Sequence, residues 1–156
     1  MISRAGAFAL ALLRIAAGLS LIGAGLHKLA WLSHPEKLEP MLTEWGTHPA
    51  NSLITKYLAW VLPHHHVFAR LVVVGELGLG LLLVLGLLTP LAGILGFLMV
   101  ANFHFASSEM FHLDYLTTQS GLSFLLILPV LSLCKAGTAL GLDGLLSGRA
   151  RQGPPK

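Results

Sequence analysis

The stretch from residue 67 to residue 106, VFARLVVVGELGLGLLLVLGLLTPLAGILGFLMVANFHFA, decides the fold. Arg70 and Glu76 are its only Lys, Arg, Asp or Glu residues. Thr89-Pro90 interrupts the apolar run, and proline is well tolerated at the start of a helix. Each part is close to the ~20 apolar residues that cross a ~30 Å hydrocarbon core. The stretch therefore predicts two transmembrane helices joined by a tight turn, over about residues 67–88 and 91–106.

Two more apolar runs flank this pair, at about residues 5–29 and 113–133. Four spans predict an all-α transmembrane four-helix bundle, because they are too few for a closed barrel. We expect one domain over residues 1–148 and a short polar tail over 149–156. Arg14 divides the first apolar run, so we do not expect it to be a cleaved signal peptide.

The composition agrees with a membrane protein in contact with the lipid bilayer. Of the 156 residues, 54% are hydrophobic and 11% are charged, whereas about a quarter of a soluble domain is charged. The net charge of +3 comes mostly from scattered basic residues, which argues against nucleic acid as a partner. Cys134 is the only cysteine, so an intramolecular disulfide or a thiolate metal cluster is excluded.

The segment between the first two spans contains a predicted amphipathic helix from Asn51 to Leu62. Asn51 or Ser52 would cap its start, and Pro63 would end it. We expect this short outer helix to lie on the membrane surface or to cap the bundle.

Basic residues predict the orientation of the chain in the membrane. The loop between the last two spans carries Glu109 and Asp114 and no lysine or arginine. Basic side chains favour the cytoplasmic side, so we expect a multi-pass protein of the cell (inner) membrane with both termini in the cytoplasm. The basic residues that outweigh Asp143 near the two chain ends are Arg4, Lys135, Arg149, Arg151 and Lys156.

Arg14 and Glu76 are charged residues near the middle of their predicted spans. Unpaired charges in lipid are costly, so we expect the two to meet inside the bundle. The pair would either fix which helix faces meet or lie beside a ligand, with Glu76 accepting a proton. Lys28 is expected to extend into the outer interface, and Asn102 and Gln119 are expected to hydrogen-bond between helices.

All eight histidines lie on the predicted outer side. If the bundle brings them together, His27, His104 and His112 with Glu109 could contact a quinone or ligate a metal or porphyrin. The His64-His65-His66 run is a weaker metal candidate, because no HExxH or other tight metal-binding spacing is present. Alternatively, the histidines are simply solvated at an interface. The full set is His27, His34, His48, His64, His65, His66, His104 and His112.

Several short motifs resemble those of the DoxX family of four-helix membrane proteins. The first helix carries Leu13-Arg14, then Gly18, Gly25 and Lys28-Leu29. The second carries an E-x3-G-x5-G-x2-T spacing from Glu76 to Thr89, and Gly141-Leu142-Asp143 resembles the closing G-x-Asp element. The family usually has a serine where Gly141 stands. The resemblance extends over nearly the whole chain in helix number and motif order.

The resemblance implies a role in redox metabolism. Some relatives are subunits of a thiosulfate:quinone oxidoreductase, and others are membrane partners of enzymes that handle oxidative or thiol stress. We therefore expect a membrane subunit of a quinone-linked oxidoreductase system, which anchors redox partners and contributes to a quinone pocket near Glu76. A non-catalytic accessory subunit of a larger complex is the alternative, and a small transporter is a third reading. No nucleophilic triad, phosphate loop or dinucleotide fingerprint is present, so a catalytic role would depend on a bound quinone, a metal or a partner chain.

Overall fold

The structure, a computed structural model, describes residues 3–112, 115 and 121–151. The described residues form α-helices and short 3-10 turns without any strand, which confirms the all-α prediction. The helices are α1 Arg4–His27, α2 Glu39–Trp45, α3 Ser52–Val61, α4 His65–Leu85, α5 Thr89–Ala106, α6 Gly121–Leu133 and α7 Leu142–Arg151.

Three helical segments in the described ranges are long and apolar enough to cross a membrane. They are Arg4–His27, Ser52–Leu85 and Thr89–Ala106. The fourth predicted span, 113–133, includes α6. Residues 113, 114 and 116–120, among them Gln119, lie outside the described residues. The four-span count and the single domain over 1–148 therefore stay predictions.

Close contact between backbones sets how α1 and α4 pack. A Cβ added to Gly18 would lie 2.7 Å from the carbonyl oxygen of Gly80, and one added to Gly80 would lie 2.7 Å from that of Gly18. Only glycine at both positions allows this approach, which is typical of helices packing in lipid. The contact fixes the antiparallel register of the two helices, with the start of α1 beside the end of α4.

The bundle core lies between α1, α4, α5 and α6. Small residues again allow close packing, since a Cβ on Gly93 of α5 would lie 2.8 Å from the carbonyl oxygen of Leu128 in α6. The buried apolar residues of this core are Ala17, Leu21, Leu83, Ala92, Leu128, Leu131 and Ala136.

A second core covers one end of the bundle, which we call the outer end. Here α2 and α3 pack over α4 and α5, and the predicted short outer helix is confirmed as α3. The Asn51 side-chain oxygen accepts hydrogen bonds from Leu53 N and Ile54 N at 3.0 and 3.1 Å, as expected of an N-cap. Helix α2 was not predicted. The buried residues of this core are Leu38, Leu42, Ile54, Leu58, Val61, Ala69 and Ala106.

The opposite end, which we call the inner end, joins α4 to α5 through a tight turn. Gly86 ends α4 in the left-handed conformation, with φ at 66°, and Leu87 N donates to Leu82 O at 3.0 Å. This is the usual glycine-based helix ending. Helix α7 follows α6 at the same end of the bundle.

Candidate functional site

Charged side chains and their neighbours form two clusters in the described part of the bundle, one near each end. The outer cluster consists of Lys28, Glu76, Trp31 and Phe103. The inner cluster consists of Arg14, Gly86, Thr89, Gly141 and Asp143. Arg14 and Glu76, which were predicted to pair, belong to different clusters.

In the outer cluster, the Lys28 ammonium donates to the Glu76 carboxylate and forms an ion pair with it. Glu76 is 4% exposed, and the Lys28 side chain is 25% exposed. The Lys28 Nζ also lies 5.3 Å from the ring centre of Phe103 and 5.8 Å from that of Trp31, within the range of cation–π attraction. The expectation that Lys28 extends into the interface is therefore wrong, because a buried carboxylate needs a positive partner.

The inner cluster holds Arg14, whose side chain is almost completely buried at 1% exposure. Its Nη2 donates to Leu140 O at 3.3 Å. Its Nε and Nη1 have no hydrogen-bond partner in the described part of the chain, and neither does the Thr89 hydroxyl. The Asp143 carboxylate attracts the guanidinium electrostatically, but it does not form a salt bridge with it among the described residues.

Asp143 joins α7 to the turn between α4 and α5. Its carboxylate accepts hydrogen bonds from Leu88 N at 2.7 Å and from Thr89 N at 2.9 Å, and so caps the start of α5. Its own N–H donates to Gly86 O at 2.8 Å. These three hydrogen bonds hold the start of α7 against the turn between α4 and α5.

Glycine is required where Arg14 passes between the turn and the segment before α7. A Cβ on Gly86 or on Gly141 would collide with Arg14 Nη1. The E-x3-G-x5-G-x2-T and G-x-Asp motifs thus contribute Gly86, Thr89, Gly141 and Asp143 to one place, although sequence reasoning did not join them. The available signal was that both motifs follow helices, α4 and α6, that end on the same side of the bundle.

The predicted Arg14–Glu76 ion pair is wrong because of the register of α1 against α4. Arg14 contacts the region of Gly86, which follows Glu76 by ten residues, or about 15 Å along a helix axis. Gly25 of α1 is the residue that faces Glu76 and Leu77, and this brings Lys28 within reach of the carboxylate. The sequence prediction estimated the membrane depth of Arg14 and Glu76 from the residue count within each helix. Such a count does not reveal how far α1 is shifted along α4.

One cavity in the described part of the chain borders the outer cluster at Phe103, and it is small. This cavity of about 20 Å³ is lined in part by Tyr57, Asn102 and Phe103. That volume holds one water molecule at most, whereas ligand pockets measure roughly 300–1,000 Å³. Asn102 makes the predicted interhelical hydrogen bond, since Tyr57 OH donates to its Oδ1 at 2.5 Å.

The histidines are dispersed, and several bond within their own helix or turn. His27 Nδ1 lies 2.7 Å from Gly23 O, His64 Nδ1 lies 2.8 Å from Trp60 O, and His65 Nδ1 lies 2.9 Å from Leu62 O. Within the described ranges, no three His, Cys, Asp or Glu side chains are grouped so that they could hold a metal ion. His66 has only a ring contact with His65, at 5.7 Å between centres.

Of the residues in the predicted outer site, His104 and Glu109 contact each other. His104 Nδ1 lies 2.8 Å from Glu109 Oε2, and the His104 ring lies 5.1 Å from the Tyr115 ring. His112 is a backbone neighbour, with its N–H donating to Glu109 O at 3.0 Å. His104 lies in the last turn of α5, and Glu109 and His112 lie in the segment that follows it. None of the three belongs to the outer cluster around Glu76.

Comparison with known proteins gives one match. The model of the DoxX family matches residues 9–109, which include both Arg14 and Glu76 but not Asp143. No curated protein and no solved structure shows a significant match.

Proposed function

Since the chain belongs to the DoxX family, we propose that it is a membrane subunit associated with a quinone-linked oxidoreductase system, in which it anchors redox partners. Membership in this family supports the assignment of the chain as a membrane protein in contact with lipid. The family is often associated with oxidoreductase and quinone systems.

The buried Lys28–Glu76 ion pair supports the proposal that this subunit anchors partners and that the described outer cluster does not itself hold a quinone. Glu76 is paired with Lys28, and the adjacent cavity of about 20 Å³ is far too small for a quinone ring. A quinone would therefore bind where a partner chain completes a pocket at the surface. His27, which is exposed at the outer end of α1, is the residue we assign to that surface contact.

The partner would approach the face of α4 that carries Gly78. A Cβ added to Gly78 would meet nothing within 4 Å, and the same is true of Gly23 in α1. Unlike Gly18 and Gly80, these two glycines face open space among the described residues. Small exposed residues allow another helix to approach closely in lipid.

Isolation from native membranes in mild detergent, followed by mass spectrometry, tests the anchoring role. We expect redox enzymes to be recovered with the wild-type chain. Gly78→Leu should reduce their recovery, because its side chain fills the open space on that face. Val74→Leu is the matched control, since Val74 is already a large exposed residue of α4 at 61% exposure. Equal recovery of redox enzymes with Gly78→Leu and wild type would contradict the proposed face.

A non-catalytic accessory subunit of a larger membrane complex is the second candidate. Dispersal of the histidines favours it, because the described residues contain no group of three His, Cys, Asp or Glu side chains that could hold a metal ion. The same purification separates the candidates. Recovery with a complex that already has all its redox centres would support the accessory role, and recovery with enzymes that need a membrane quinone contact would support the first.

A further inference from the structure

We propose that the inner end binds an anionic phospholipid, with an acyl chain in the gap beside α7 and the phosphate next to the basic residues around that helix. This proposal does not depend on the redox role of the chain.

The gap beside α7 is lined by leucines. A cavity of about 360 Å³ is bordered by Leu87, Leu142, Leu145 and Leu146. A second cavity, of about 350 Å³, shares Leu142 and Leu145 with the first and extends to Leu85, Thr138, Leu140, Gly141 and Gly144. Both volumes fall within the range of ligand sites. Space thus remains on two sides of α7.

Hydrogen bonds of Asp143 hold α7 in place, and they keep the gap beside it open. Both carboxylate oxygens of Asp143 accept backbone hydrogen bonds at the start of α5, and the Asp143 N–H donates to Gly86 O. Collapse of α7 onto Leu87 would break these bonds. Leu145 and Leu146 are therefore left 67% and 54% exposed, and apolar surface of this kind needs an apolar cover.

The charges around α7 select an anionic occupant. Lys135 is exposed just after α6, and Arg149 and Arg151 stand in the last turn of α7. Asp143 is the only acidic residue from position 121 to the end of the sequence, and its carboxylate is already engaged. Each Lys or Arg near an anionic lipid surface adds attraction. A second copy of this chain would bring the same positive charges and be repelled.

The pattern of α7 agrees with a helix in the plane of the membrane interface. Leu142, Leu145 and Leu146 follow the i, i+3, i+4 spacing of one face, and arginines follow them. Helices with an apolar face and basic residues bind at the boundary between headgroups and acyl chains, and more strongly where lipids are anionic.

The test is native mass spectrometry of the full chain released from nanodiscs that contain equal amounts of phosphatidylglycerol and phosphatidylcholine with identical acyl chains. We expect wild type to retain phosphatidylglycerol at least fivefold over phosphatidylcholine. The triple variant Lys135→Gln, Arg149→Gln, Arg151→Gln should bring that ratio near one. Arg4→Gln is the matched control, because it removes a basic residue from the same end, at the start of α1, and should leave the ratio unchanged.

A second variant tests the acyl-chain gap. Leu145→Ser with Leu146→Ser should lower retention of both lipids, and circular dichroism would verify that the helices remain. Equal retention of the two lipids by wild type, or the same ratio in the triple variant and in Arg4→Gln, would overturn the proposal. Recovery of wild type as a lipid-free dimer would also overturn it.

Discussion

At the scale of single residues, the buried ion pair between Lys28 and Glu76 is the main feature of the outer cluster. A charge buried alone in a membrane bundle is costly, and each of these residues removes that cost for the other. Glu76 Oε2 has no hydrogen-bond partner in the described ranges, so the ion pair with Lys28 is the main compensation for the carboxylate. Loss of Lys28 would leave a buried, uncompensated carboxylate.

Lys28→Met should therefore lower the free energy of unfolding by about 3 kcal/mol. The double variant Lys28→Met, Glu76→Leu should recover much of that loss, because it removes both charges together. Unfolding in mixed micelles would measure the stability of wild type, the single variant and the double variant. Lys37→Met is the control, since Lys37 is exposed on the outer segment. A loss below about 0.5 kcal/mol for Lys28→Met, the range of ordinary surface substitutions, would contradict the importance of the pair.

Glu76→Gln separates a structural role of this residue from a role beside a ligand. We expect stability to fall, while turnover of the co-purified redox partner per folded chain stays unchanged. A fall in turnover greater than the loss of folded chain would show that Glu76 acts in the reaction.

At the scale of helices, the fold is set by where backbones touch. Gly18 and Gly80 face each other in α1 and α4, whereas Gly23 and Gly78 in the same helices face open space. The same residue type thus has two different roles, and the structure assigns each glycine to one of them.

Gly18→Ala and Gly80→Ala should each lower the free energy of unfolding by about 1–3 kcal/mol, because overpacking forces the two helices apart. Gly23→Ala and Gly78→Ala are the matched controls and should cause no loss. Thermal unfolding in detergent would measure all four variants. Equal effects at the four positions would contradict the observed register of α1 against α4.

Hydropathy predicted the long helices well and their contacts poorly. The spans expected at 5–29, 67–88 and 91–106 correspond to Arg4–His27, His65–Leu85 and Thr89–Ala106, since apolar length largely determines where such helices lie. Helix α2 was missed because it is seven residues long and carries Glu39, Pro40 and Glu44. The partners of Arg14 and Glu76 depend on the offset between two helices, which no single helix reveals.

At the scale of the whole molecule, the two ends differ in character. The outer end is closed by α2 and α3 over a second apolar core. The inner end keeps gaps around α7. It also carries Arg4, Arg14 and Lys135, with Arg149 and Arg151 in the last turn of α7. This asymmetry supports the proposal that the inner end, with both termini, faces the cytoplasm of a cell with the chain in its inner membrane.

The single cysteine allows the orientation to be measured. Cys134 is exposed at the inner end, so a membrane-impermeant thiol reagent should label it only after cells are permeabilised. A Cys134→Ser chain with His112→Cys, at the outer end, should be labelled in intact cells. Labelling of Cys134 in intact cells would reverse the proposed orientation.

The quinone content of the purified protein shows whether the bundle itself binds quinone or only the assembly does. Quinone would be counted per chain, by extraction and chromatography, in the chain alone and in the assembly with its redox partners from native membranes. We expect near-equal amounts of quinone and chain in the assembly and almost none in the chain alone, because Glu76 is buried and already paired with Lys28. A full equivalent of quinone in the isolated chain would contradict this expectation, and so would an assembly without quinone.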